Sequence, residues 1–222
     1  MKKIKWGVIG TAGIAKSCTI PGMIQAYNCE LYAIAGRSID KAEQFKEKFG
    51  FEKAYGSYKE LLDAPEVEAV YIALPNTLHY EWAVKAMESG KHVLCEKPLA
   101  PCEKQVKELF ETAKENHVYL MEAFAYQHSP YIIAIKKEIE DGTKGSITGT
   151  KFAFNGEGEL SYTIRTAEGQ EEVKTVEVPQ NYRLEVEQFG RCIDENEIPA
   201  VTEEFSLKNA RLVERILEEI GY

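Results

Sequence analysis

Ile4-Lys5-Trp6-Gly7-Val8-Ile9-Gly10-Thr11-Ala12-Gly13-Ile14-Ala15 decides the fold of this chain. Residues 4–10 read as a buried strand ending at Gly10, and a helix opens at about residue 13 and runs to 27, with a possible interruption at Pro21-Gly22. A strand, a tight glycine turn and a helix in immediate succession form the junction that presents unpaired N–H groups and a positive dipole end to a phosphate. Gly10 permits the turn, Ala12 stands where the backbone must approach a pyrophosphate, and Ala15 is small enough for the helix to lie on the sheet. Ala12 in place of a middle glycine makes the pattern weak alone; its place at the first strand–helix junction strengthens it.

Outward from that turn the pattern repeats. Leu31 to Ala35, Val67 to Leu74, His92 to Cys95 and Val118 to Met121 read as short apolar strands. Between them Asp40 to Phe49, Tyr58 to Leu62, Tyr80 to Ser89 and Cys102 to Asn116 carry helical spacing. Alternation at this spacing predicts βαβ units and a parallel sheet, and nearly continuous apolar strands predict one covered on both faces. Residues 1–122 are therefore expected to form a doubly wound α/β domain.

Residues 123–222 change character. A helix is predicted over Pro130 to Ile139, then three strand-like runs, Ile147–Phe154, Glu159–Thr166 and Glu172–Val178. The turns at Asn155-Gly156-Glu157-Gly158 and Glu168-Gly169-Gln170 suit hairpins. Leu160, Tyr162 and Ile164 alternate with polar partners, so one face of this meander is expected to be wet. A helix follows with Tyr182, Val186, Phe189 and Ile193 on one stripe, and Ser206 is placed to cap a last helix. This second part is expected to be a small α+β domain with a reduced antiparallel sheet.

The 222 residues carry a net charge of −9, with acids mostly interleaved with lysines, which argues against a nucleic-acid grip. No apolar run has the length of a membrane span. The five cysteines are odd in number and form no CxxC pair, so reduced thiols in a cytoplasmic protein and no structural zinc are expected. Glu157, Glu159, Glu171 and Glu172 sit at turns without a histidine and read as a solvated rim, with no metal site expected.

Two strand ends carry the chemistry. After the second strand the chain reads Ala35-Gly36-Arg37-Ser38, and the first acid, Asp40, comes late. Arg37 is suited to a 2′-phosphate and Ser38 to a hydrogen bond, which favours NADP over the alternative, NAD. After the fourth strand comes Glu96-Lys97-Pro98, facing the same crevice as Leu74-Pro75-Asn76. An ammonium there can stabilise a developing alkoxide or carry its proton, and Glu96 can bond a ribose or orient the lysine. Pro98 biases Lys97 toward an extended backbone.

Gly10-Thr11-Ala12-Gly13-Ile14-Ala15, Ala35-Gly36-Arg37-Ser38, Leu74-Pro75-Asn76-Thr77-Leu78-His79, Glu96-Lys97-Pro98-Leu99 and Met121-Glu122-Ala123-Phe124 resemble, in order and spacing, the Gfo/Idh/MocA family. The resemblance covers residues 4 to about 145 and resumes in Tyr182 to Phe189 and the last helix. It implies a Rossmann domain, a C-terminal α/β domain whose open sheet can pair two copies, and NAD(P)-dependent hydride transfer on sugars, cyclitols or diols. It implies Lys97 as the catalytic lysine, Glu96 near the nicotinamide ribose, and Arg37 with Ser38 as the NADP-selecting pair, as in the dihydrodiol and xylose dehydrogenase-like branch. Gly10, Thr11, Ala12, Gly13, Ile14, Leu74, Pro75, Asn76 and His79 complete the expected cofactor site.

The family's second motif, a glycine pair followed by an aspartate and then a histidine or tyrosine, has no counterpart here. The chain looks like a member with the middle of its second domain deleted near 154–158. His128 and Tyr126 are the candidates to stand in for it, with helix capping or core packing as their alternative roles; His79 is expected to support the Asn76 loop, and His92 and His117 to be scaffold. A dinucleotide-binding protein without turnover, a scaffold or cofactor sensor, is the rival to the enzyme reading.

Overall fold

The computed structural model describes residues 2–142, 145–149, 156–166 and 168–221. Six strands form one parallel sheet: β1 (Ile4–Ile9), β2 (Cys29–Ala35), β3 (Lys53–Tyr55), β4 (Ala69–Ile72), β5 (His92–Glu96) and β6 (Leu120–Ala123). Their order across the sheet is β3-β2-β1-β4-β5-β6, so the direction of winding reverses between β1 and β4. That reversal opens a crevice at the carboxyl ends of the strands. All four residues of β4 are buried, as are Val93 to Glu96 of β5, which is the continuous apolar reading expected of a doubly covered sheet.

Helices α1 (Ile20–Gln25), α2 (Ile39–Phe49), α3 (Tyr58–Leu62), α4 (His79–Glu88) and α5 (Glu103–Glu115) connect the strands. The first helix differs from its expected form. A π-helical turn, Ala15–Thr19, precedes α1, and Pro21 lies in the first turn of α1, where its missing N–H leaves no bond unmade. Strand β3 escaped the sequence reading because Lys53-Ala54-Tyr55 contains no apolar run.

The second part begins with a 3₁₀ turn, Ala125–His128, and α6 (Pro130–Glu140). Strands β7 (Gly145–Gly149), β8 (Gly158–Thr166) and β9 (Glu171–Val178) form an antiparallel sheet in that order. The expected run Ile147–Phe154 appears as far as Gly149; residues 150–154, with Asn155 of the expected hairpin turn and so part of the expected deletion point, lie outside the described residues. Tyr162, Ile164 and Val178 pack with Tyr131 of α6, and the Tyr131 and Tyr162 rings meet edge-on at 5.8 Å.

The last helices, α7 (Asn181–Glu195) and α8 (Glu203–Glu219), return to the six-stranded sheet. Val186 and Phe189 of α7 join one face, where Phe189 meets Trp6 at 5.7 Å between ring centroids. Ala210 of α8 joins the other. The expected boundary at residue 122 thus divides the chain order, whereas the cores group α7 and α8 with the first sheet. Ser206 does not cap α8: Thr202 accepts the Phe205 N–H at 3.3 Å, Glu203 and Glu204 fill the first turn, and Ser206 is buried inside the helix.

Candidate active site

Backbone contacts tie the end of β1 to both neighbours. Gly10 N–H donates to Ala35 O at 2.9 Å, and Ala73 N–H donates to Ile9 O at 2.9 Å. Gly10 has φ +106°, and a Cβ built on it would lie 2.4 Å from Ala73 O. The turn therefore demands glycine on both conformational and steric grounds. Gly13 has open space where its Cβ would stand, so its surroundings in the protein impose no such demand.

A cavity of about 560 Å³ lies over this turn. Gly10, Thr11 and Ala12 form its floor, and Ala73, Leu74, Pro75 and Leu78 one wall. Arg37 and Ser38 from the end of β2, with Lys41 of α2 and Tyr58 of α3, close the far side. Asp40 is exposed on the first turn of α2 and is not among the lining residues. The arrangement offers backbone N–H groups at one end and two cations at the other, a donor set suited to an elongated polyanion.

A second cavity, about 480 Å³, opens at the ends of β5 and β6. It is lined by Ile14, Glu96, Lys97, Phe124, Tyr126 and Tyr182. Ile14 belongs to the glycine turn, so the two cavities flank the same segment. Lys97 is exposed and the Lys97-Pro98 peptide is cis. The loop that carries it is fixed from below. Leu99 N–H donates to Glu122 Oε1 at 3.1 Å, and Asn209 of α8 donates to the same oxygen at 3.2 Å. Burial raises the Glu122 carboxyl above the usual carboxylate range. The fully buried His79 ring bridges the two crevice loops, with Nδ1 2.8 Å from Pro98 O and Nε2 2.8 Å from Leu74 O.

Glu96 accepts the Tyr71 O–H at 2.5 Å, and Tyr71 accepts from Thr19 Oγ1 at 2.9 Å. Burial, then the Glu96 charge, pushes the Tyr71 phenol well up, so it stays a donor. The Tyr182 phenol is also raised, by burial first and then by Cys18, Glu96 and Glu185.

The structure thus brings Gly10, Thr11, Ala12, Arg37, Ser38, Leu74 and Pro75 together in one cavity, and Ile14, Glu96, Lys97 and Tyr126 in the next. Asn76 is exposed at the start of a 3₁₀ turn and lines neither. His79 lies behind the crevice as a bridge between its loops. His128 also stands apart. It is buried near Arg191 and Glu197, and burial followed by the Arg191 charge lowers it to about 4. Arg191 is nine positions along α7 from Tyr182, roughly 14 Å at 1.5 Å per residue.

The sequence reading missed Lys41, Tyr58, Tyr71, Phe124 and Tyr182 as lining or supporting groups. Tyr71 was hidden in an apolar run, although a hydroxyl in a fully buried strand needs a partner. Tyr182 was read as part of an inward stripe, and it lines the cavity instead. Gly22 explains how it gets there: a Cβ on Gly22 would lie 2.6 Å from Gln180 Oε1 and 2.8 Å from Arg183 N, so glycine lets α7 start against α1.

Comparison with known proteins agrees with this geometry. Residues 4–124 match the family GFO_IDH_MocA, described as an oxidoreductase family with an NAD-binding Rossmann fold. An uncharacterised oxidoreductase, ORF334, of Rhizobium meliloti is 40% identical over 154 residues, 69% of this chain and 46% of the relative. D-xylose 1-dehydrogenase (NADP(+)) 2 of Haloferax volcanii is 42% identical over 125 residues, 56% of this chain and 38% of the relative. The chain spans less than half the length of these curated relatives. KijD10, a 3-ketoreductase from Actinomadura kijaniata solved with TDP-benzene and NADP, superposes with a TM-score of 0.81 over 96% of both chains at 24% identity, a likeness of fold.

Proposed function

This chain belongs to the Gfo/Idh/MocA oxidoreductase family, and from that premise we propose that it is an NADP-preferring oxidoreductase acting on a sugar, cyclitol or diol. The observation that carries the reading is the pair of cavities on either side of one glycine turn, with Arg37, Ser38 and Lys41 at one end and Lys97 at the other. The first cavity fits a dinucleotide: the Gly10 cradle would be filled by any Cβ, and the cations at its far end match a 2′-phosphate. The relatives support the choice, since one is an NADP(+)-dependent xylose dehydrogenase.

Thr11 and Ala12 N–H groups would hold the diphosphate, and Arg37 with Lys41 would neutralise the 2′-phosphate. When bound, the cofactor supplies or accepts the hydride. Lys97 then holds the proton: its ammonium donates to the carbonyl oxygen during reduction, and its amine accepts the hydroxyl proton during oxidation. Glu96, fixed by Tyr71, would hold the nicotinamide ribose and orient Lys97. Tyr182 and Tyr126 supply phenol donors on the side of the cavity facing the substrate, in place of the family's second motif.

A rival reading, dinucleotide binding without turnover, draws support from the sequence, in which the family's second motif has no counterpart. One experiment separates the two. NADPH consumption is assayed with a panel of ketoses, aldoses and diones, and NADP⁺ reduction with the matching polyols, using Lys97→Ala as control. The enzyme reading expects turnover that falls about a thousandfold in Lys97→Ala with NADPH still bound. Tight NADPH binding with no Lys97-dependent turnover across the panel supports the rival.

A further inference from the structure

Behind the Lys97 cavity lies a buried polar cluster with one member that neither holds the cofactor nor carries the substrate proton. Glu185 of α7 is fully buried, and neither of its carboxyl oxygens meets a hydrogen-bond partner among the described residues. An unmet polar group in the interior is destabilising, and an apolar side chain of the same volume would avoid that penalty. A local rule broken beside a reacting site points to a use there.

The groups around Glu185 define that use. Glu96 of β5, Tyr71 of β4 and Tyr182 of α7 itself lie within electrostatic reach of Glu185; Tyr71 donates to Glu96 and accepts from Thr19 of the π-helical turn, and Cys18 stands beside Tyr182. Glu96 also lines the Lys97 cavity, with Lys97 exposed at its mouth. Burial first, and then the Glu96 charge, keeps Glu185 protonated well above the ordinary carboxylate range.

We propose that Glu185 and Glu96 form a carboxyl pair that holds one proton and releases it when a positive charge enters the Lys97 cavity, so that the site favours the oxidised dinucleotide over the reduced one. The inference rests on the reading that the nicotinamide half occupies this cavity. The oxidised ring is cationic and the reduced ring neutral, so only the former stabilises a second negative charge on the pair. The proton leaves to solvent, and the balance is one protonated pair plus oxidised cofactor giving the complex plus one proton.

The test is calorimetric titration of the whole chain with NADP⁺ and with NADPH, from about pH 6 to about pH 9, in buffers of different ionisation enthalpy. The expected result is release of up to about one proton more with NADP⁺ than with NADPH, the 2′-phosphate with its second ionisation at about 6 contributing equally to both, and an NADP⁺ affinity that rises relative to that of NADPH by up to about tenfold per pH unit. Glu185→Gln and Glu185→Leu, which remove the acid and leave Lys97 in place, should abolish the difference. Equal proton release with both redox forms overturns the proposal, as does linkage that survives in both variants, which would assign it to Lys97. Should one variant fail to fold, the other still decides between Glu185 and Lys97, and equal proton release by the wild-type chain with both redox forms overturns the proposal without any variant. Absence of binding by either dinucleotide overturns the cofactor reading and this inference with it, whereas binding without differential proton release overturns this inference alone.

Discussion

The two sheets solve the same problem of burial in opposite ways. The six-stranded sheet has helices on both faces, and its strands are buried almost throughout. Its crevice is consequently set by backbone, at positions such as Gly10 where no side chain can be added. Among the described residues the three-stranded sheet has α6 on one face, and the buried core there comprises Tyr131, Tyr162, Ile164 and Val178. Its other face carries Glu159, Ser161, Thr163 and Arg165. A doubly covered sheet can hold a reactive geometry to within a bond length; a singly covered one cannot be relied on to do so, and the cavity-lining groups Lys97, Glu96 and Tyr182 all come from the first sheet or from helices packed on it.

That contrast is open to attack by mutation. The largest effect should come from Lys97→Ala, with turnover lower by about a thousandfold and NADPH affinity within about threefold, read by steady-state kinetics and fluorescence titration. Gly10→Ala should weaken NADPH binding by about a hundredfold or more and cost about 3 kcal/mol in denaturant unfolding, because Ala73 O must give way. Arg37→Ala should lower NADPH affinity by about tenfold to a hundredfold and leave NADH affinity unchanged. In the other sheet, Tyr162→Ala should cost about 3 kcal/mol while NADPH affinity holds, since among the described residues Tyr162 packs with its own sheet and α6. Loss of NADPH binding in that variant would show that the crevice depends on the small sheet after all.

The smallest effect concerns pH. Glu185 keeps its proton in the folded chain and gives it up more readily when unfolded, because burial and Glu96 raise its folded value. Its contribution is therefore fully present below the ordinary carboxylate range and is lost as pH rises toward the folded value. Glu185→Gln should flatten this decline, raising Tm more at mildly alkaline than at mildly acidic pH. Equal gains at both would contradict a protonated Glu185.

Much of the first sheet was legible because two covered faces leave an unmistakable apolar run at β1, β2, β4, β5 and β6. Strand β3 was not, since its three residues are half exposed and gain their pairing from β2 rather than from an apolar pattern. In the site, Gly10, Arg37, Glu96 and Lys97 were legible because they stand at strand ends, where topology alone faces them into the crevice. Tyr182 and Glu185 were not. A residue on a returning helix reaches the site only through packing, here the approach of α7 to Gly22, and that contact joins positions far apart in the chain. His128 was ambiguous in the sequence, a stand-in donor or a packed junction residue, and the structure buries it in the 3₁₀ turn within reach of the Arg191 charge.

The most direct measurement of the central claim is a fluorescence titration of the intact chain with NADPH and NADH side by side. NADPH should bind saturably and about tenfold or more tighter than NADH, through Arg37, Ser38 and Lys41. Equal affinity for the two, or no saturable binding of either, would contradict it.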